Sequence, residues 1–130
     1  MNAKNVPERE STVAKGRKAE IRARAFLEAR GFRILEQNFR CRFGEIDIVA
    51  EQGKELVFVE VRSLGPGARH LPEETVQAGK QRKLSRTAQA YLQKHRQQDR
   101  PARFDVVAVE AGQGETVLRH VPNAFDLWEP

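Results

Sequence analysis

The chain has 130 residues, 39% hydrophobic and 32% charged, with a formal net charge of +5 and a pI near 9.8. That length suits one ordinary core rather than two, and the apolar content argues against wholesale disorder. No apolar run reaches the roughly 20 residues of a membrane span, and the one cysteine, Cys41, cannot form an internal disulfide.

Residues 1–10 are polar and aperiodic and are expected to form a mobile tail, with one domain over 11–130. The stretch MNAKNVPEREST has no apolar core of a secretory signal, so a reducing cytoplasm is the expected location. Ser11 or Thr12 can cap a helix that runs to about Arg30 and closes at Gly31. At about 100° per residue Val13, Glu20 and Leu27 fall on one line, flanked by Ala19, Ala23 and Phe26. A carboxylate therefore interrupts the stripe that should face the core.

Phe32 to Arg40 reads as a strand, a basic turn leads to Gly44, and GEIDIVA forms a second strand with Ile46 and Ile48 on one face. EQGK is a turn, and LVFVEVR, rich in β-branched residues, completes a hairpin. Residues 63–72 carry loop signals, and a second helix is predicted from about Glu73 to Gln97. Its stripe is Val76, Leu84, Ala88, Tyr91 and Leu92, with Gln77 and Lys80 on or beside it one turn earlier. Phe104–Val109 and Thr116–Val121 are the last strands, separated by AGQGE, and Phe125 and Trp128 are expected to dock near the end. The order α-β-β-β-α-β-β makes an α/β fold.

Alternation along the hairpin carries the chemistry. Residues i and i+2 of a strand share a face about 7 Å apart. Glu45 and Asp47 then share one face of the second strand, and Glu60 and Arg62 one face of the third, opposite Val57, Val59 and Val61. Across the hairpin Asp47 can approach Glu60, and Glu20 is a third carboxylate within reach. Such clustered acids repel and are costly to desolvate unless a hard cation such as Mg²⁺ neutralises them. The same alternation also suits a one-sided sheet on which Asp47 and Glu60 face water. Glu45 equally suits a role in supporting the turn or pairing with a nearby arginine.

Charge is segregated. Lys15, Arg17, Lys18, Arg22 and Arg24 lie on the first helix, and Arg40 and Arg42 in the following turn. Lys80, Arg82, Lys83 and Arg86 lie on the second helix, whereas the acids gather on the hairpin. An acidic centre between basic helices suits a metal site that handles a phosphodiester backbone. Cys41 lacks a catalytic motif, and His70, His95 and His120 show no ligand spacing.

As an ordered set, GEIDIVA from Gly44, LVFVEVR at 56–62, Lys80 and RFDVVAV at 103–109 resemble the UPF0102 (YraN-like) family. Gly16, Glu20, Gly31, Asn38 and Ala124-Phe125 extend the likeness over nearly the whole chain. That family is similar to the restriction-endonuclease-like PD-(D/E)XK nucleases, nearest to archaeal Holliday-junction resolvases. The resemblance implies a mixed central sheet flanked by helices, homodimers, and Mg²⁺- or Mn²⁺-dependent hydrolysis of nucleic acid, with branched or structured DNA favoured over RNA. It implies Asp47 and Glu60 as metal ligands, the Val61 carbonyl on the same ion, and Glu20 as the helical glutamate. Lys15, Arg17, Lys18, Arg40, Arg42, Gln77, Lys80, Arg82 and Lys83 would then grip nucleic acid. Arg62 departs from the pattern, standing where the family has lysine. Arginine keeps the charge but cannot release a proton near neutrality, so a nucleic-acid-binding protein without catalysis is the alternative. Lys80, on the inward stripe of the second helix beside Gln77, is the candidate replacement.

Overall fold

The computed structural model describes residues 12–65, 76–111 and 115–127. The expected N-terminal tail, His70, Glu73, Glu74 and Trp128 lie outside them, as does most of the loop expected at 63–72. The elements are α1 (Thr12–Ala29), β1 (Arg33–Cys41), β2 (Gly44–Gln52), β3 (Glu55–Leu64), α2 (Ala78–Lys94), β4 (Ala102–Ala111) and β5 (Thr116–Phe125). The expected α/β order holds, and the strands form one mixed sheet in the order β1-β2-β3-β4-β5. The β3–β4 pair is parallel, so α2 is its crossover connection, and the other three pairs are antiparallel.

Each helix covers one face. Ala23 and Leu27 of α1 pack with Phe32, Ile48, Ala50, Val57, Val59 and Val107. Leu84, Ala88, Tyr91 and Leu92 of α2 pack with Phe39, Ile46, Val49, Phe58, Phe104 and Val106 on the other side. The sheet interior is therefore dry on both faces, which explains strands that read as continuous Val/Ile/Phe runs. Among the described residues no helix is long and apolar enough to cross a membrane.

The helix ends follow their backbone chemistry. Gly31, at φ +89, ends α1 with Phe32 N–H donating to Leu27 O and Gly31 N–H to Glu28 O, the paired bonds of a Schellman cap. The same bonds end α2, from Gln97 to Leu92 and from Arg96 to Gln93, with Arg96 itself at φ +55. That cap stops α2 at Lys94, short of the expected Gln97. At its start Gln77 is extended, with ψ 160, so among the described residues α2 begins at Ala78. Gln77, expected on or beside the apolar stripe, is an exposed cap residue outside it.

Three further expectations need correcting. Val13 is 68% exposed, because α1 meets the sheet only from Ala19 onward. β3 continues through Ser63 and Leu64, which pair with Val109 and Glu110 of β4. β5 reaches Phe125, which stacks on Phe104 at 4.7 Å between ring centroids.

The most consequential correction concerns β2. Ile46 packs on the α2 side and Ile48 on the α1 side, so they do not share a face. β1 reverses with it: Gln37 takes a hydrogen bond from Arg24 of α1, whereas Phe39 packs beneath α2. Asn38 lies between these two residues with φ +54, a left-handed conformation that asparagine tolerates better than most residues. One such residue turns the chain enough to break period-2 alternation.

Candidate active site

The reversal places Asp47 where β2 and β3 part. Cα pairing between them ends at Ile48 and Val59, and the Val61 N–H, left without a strand partner on that side, donates to Asp47 Oδ2 at 2.8 Å. The carboxylate of Asp47 thus replaces a backbone carbonyl in the ladder. Carboxylate oxygens of Glu20, Glu45 and Asp47 lie within 4.8 Å of one another, all three residues being partly buried. With its amide nitrogen turned to the acids, Asn38 donates to Glu45 Oε1 at 2.8 Å and to both oxygens of Glu20 at 3.3 Å. Asn38 therefore contributes both the backbone turn that brings the acids together and a donor between two of them.

Glu60 extends from β3 on the α2 side, next to Phe58 along the same face, with a side chain only 7% exposed. The alternative of a solvent-facing Glu60 is excluded. Lys80 Nζ donates to its Oε1 at 2.9 Å across a sequence separation of 20 residues. Asp47 feels Glu60, Glu20, Lys80 and the Val61 N–H. Burial above all, then the charge of Glu60 and more weakly that of Glu20, push its carboxyl up to about 8, against the opposing Val61 N–H and Lys80 ammonium. Burial beside two like charges is the arrangement that raises a carboxyl in this way.

Gly44, Glu45, Asp47, Glu60, Lys80 and Lys83 border a cleft of about 610 Å³ beneath the first turns of α2. Gly44 allows α2 to approach: a Cβ there would meet Thr87 Oγ1 at 3.3 Å, at a φ of +152 that disfavours a side chain. Glu45 also takes the Nε–H of Arg40 at 3.1 Å, so the expected arginine pairing is present alongside its place among the acids.

Of the residues singled out from sequence, Glu20, Asp47, Glu60 and Lys80 come together. Arg62 is partly buried two residues beyond Glu60, and Val61 reaches Asp47 through its N–H. Lys83 lines the cleft, whereas Lys15, Arg17, Lys18, Gln77 and Arg82 are exposed outside its lining. Arg42 is exposed and stacks on Phe43. Periodicity did not identify Asn38 as a partner of the acids. Its signal was chemical: an asparagine, tolerant of left-handed backbone, opposite a strand carboxylate.

A second polar cluster lies under α1. Asp105 is fully buried and accepts from Arg103 Nε at 2.9 Å and from the Asn123 N–H at 2.9 Å, with His120 Nε2 at 2.7 Å. Burial opposes its ionisation, yet these partners hold its carboxyl below the usual carboxylate range. Asn123, at φ +51, lies in the irregular pairing of β5 with β4 that Asp105 closes. Among the described residues His120 is therefore a structural partner of Asp105.

The profile of Uncharacterised protein family UPF0102 matches residues 19–109. A UPF0102 protein of Geobacter metallireducens is 46% identical over 112 residues, covering 86% of this chain and 92% of the relative. Another, from Anaeromyxobacter dehalogenans, is 49% identical over 113 residues, covering 87% and 84%. A third, from Persephonella marina, is 44% identical over 113 residues, covering 87% and 94%.

Proposed function

The chain belongs to the UPF0102 family, and we propose that it is a divalent-cation-dependent nuclease whose cleft accepts a strand of nucleic acid. The observation that carries this reading is the convergence of Glu20, Glu45 and Asp47 within 4.8 Å, next to the Glu60–Lys80 pair. An all-oxygen, multiply acidic donor set fits Mg²⁺ or Mn²⁺ rather than a soft metal. Asp47, with Glu20, Glu45 or Glu60, would hold the ion. Bound there, it would supply the Lewis acidity that activates water at neutral pH.

The chain's own residues do the rest. Asp47 would hold the ion as a carboxylate, so its raised pKa would couple binding to loss of its proton. Glu60, already bonded to Lys80, keeps an ammonium at the edge of the reacting phosphate. That lysine on α2 supplies what Arg62 cannot, a cation able to exchange a proton. Lys83 on the cleft wall holds the adjoining phosphate by charge, without reading bases.

One observation favours a second reading, binding without catalysis: Arg62 stands two residues after Glu60 where the resembling nucleases have lysine. A single experiment separates the two. Branched, nicked and single-stranded DNA are incubated with Mg²⁺ or Mn²⁺ and with the parent, Asp47→Ala, Lys80→Gln and Arg62→Lys chains. The nuclease reading expects cleavage by the parent and by Arg62→Lys, and its loss in Asp47→Ala. Salt-sensitive binding with no cleavage by any chain leaves only the binding reading.

A further inference from the structure

The β1–β2 turn carries a feature that the nuclease reading does not use. Cys41 and Gly44 are paired, so the connection is the two residues Arg42 and Phe43. Neither residue takes the positive φ for which such loops use Asn, Asp or Gly, so the turn by itself calls for neither Arg nor Phe. Phe43 is only partly buried and belongs to neither hydrophobic cluster of the sheet. Its burial therefore adds little to the core, although a ring of this size is usually placed where it can be covered. The Arg42 guanidinium is stacked over it, 4.7 Å from the ring centroid. Phe43 N–H donates to Cys41 Sγ at 3.4 Å, which ties the turn back to its own strand.

The position of this stack gives it meaning. Gly44 and Glu45 follow Phe43 directly and both line the cleft. Arg42 and Phe43 are not part of that lining, but two residues of chain span at most about 7 Å, so the Phe43 backbone lies within about one nucleotide's length of that of Glu45. An aromatic ring with a planar guanidinium is the surface on which unpaired bases stack, whatever their identity. A base inside a duplex is already stacked and paired and does not offer its face to such a platform.

We propose that Arg42 and Phe43 form a stacking platform for an unpaired nucleobase, which sets the adjoining phosphate over the carboxylates of the cleft. The inference rests on the nuclease reading and narrows it to a strand that is single or locally unpaired at the cleavage point. Arg42 contributes charge as well as a plane, so binding depends on salt and on the base together.

The test measures binding in chelator, where no cleavage occurs, by fluorescence anisotropy of a labelled single-stranded DNA and of an abasic strand of equal length. Phe43→Ala is expected to weaken binding of the base-bearing strand roughly tenfold and to leave the abasic strand unchanged. Phe43→Trp, with a larger ring, is expected to bind the base-bearing strand at least as tightly as the parent. Far-ultraviolet circular dichroism confirms that each variant is folded, as expected for a change outside both hydrophobic clusters. Equal binding by Phe43→Ala and the parent overturns the platform while leaving the nuclease reading intact. Equal losses on both strands overturn it too, since they would show a charge or shape effect without stacking. Failure of the parent to bind either strand in chelator overturns the platform, whereas the nuclease reading is decided by the cleavage assay with Mg²⁺ or Mn²⁺.

Discussion

Asn38, left-handed at φ +54, faces Asp47 between the nearest matched pairs on either side, Gln37 with Ile48 and Phe39 with Ile46. The turn at Asn38 and the free carboxylate at Asp47 are two sides of one device. The backbone reverses its faces, and the carboxylate replaces the lost ladder bond by accepting from Val61. Glu45 and Asp47 of β2 and Glu20 of α1 then meet at one point.

The two contributions of Asn38 can be separated. Asn38→Gly keeps the left-handed backbone but removes the amide, whereas Asn38→Ala also strains the backbone by about 1 kcal/mol. Both variants are expected to bind Mn²⁺ roughly tenfold or more weakly in calorimetric titration, as happens when a group that orients metal ligands is lost. Only Asn38→Ala should also shift the urea midpoint downward. Equal Mn²⁺ affinity in the parent and Asn38→Gly would show that the amide does not order the acids.

Asp47 sets a pH dependence of definite sign. Its carboxyl rises from 3.8 to about 8 on folding, mainly through burial. Between those values the folded chain keeps a proton that the unfolded chain has released, so metal-free stability declines as pH rises through that window. Thermal unfolding in chelator should therefore show a higher midpoint at pH 5 than at pH 8, with a smaller difference in Asp47→Asn. Cation binding must displace the same proton, so apparent Mn²⁺ affinity should increase from pH 6 to pH 8.

Lys80 supports Glu60 by charge more than by packing. Removing one partner of a buried pair leaves an uncompensated charge, but the half-exposed ammonium is screened by water. Lys80→Met is accordingly expected to cost about 1–2 kcal/mol in urea denaturation. Adding Glu60→Gln to Lys80→Met should recover part of that loss, because the amide needs no counter-charge. If the double variant is less stable than Lys80→Met alone, the two side chains are not coupled in this way.

The Asp105 cluster predicts stability without function. Asp105→Asn leaves Arg103 with Glu55 as its remaining carboxylate and weakens the bonds to His120 and the Asn123 N–H, at a cost of about 2 kcal/mol. The stabilisation from Asp105 is present above its unfolded value of 3.8 and is lost as pH falls through the lowered folded value. Denaturation of Asp105→Asn should therefore differ from the parent strongly at pH 7 and less toward pH 3. Mn²⁺ titration of the folded variant should match the parent, since Asp105 lies on the α1 side, away from the cleft.

Sequence by itself determined the element order, the two apolar helix stripes and the choice of Asp47 and Glu60. These follow from hydrophobic periodicity and strand alternation, which are local properties of the chain. It also marked Glu20 as a charge out of place on its helix and Arg62 as a departure from the pattern it resembles. Local patterning failed where one backbone angle broke its period, so Ile46 and Ile48 parted and Asn38 joined the acids. It also could not bring Lys80 to Glu60 or His120 to Asp105, contacts set by a parallel crossover and by an irregular strand pairing. The net charge of +5 suggested a polyanionic partner. Only the tertiary structure decided that the acids converge beside Lys80 and Lys83, because register and crossover, rather than composition, set which charges become neighbours.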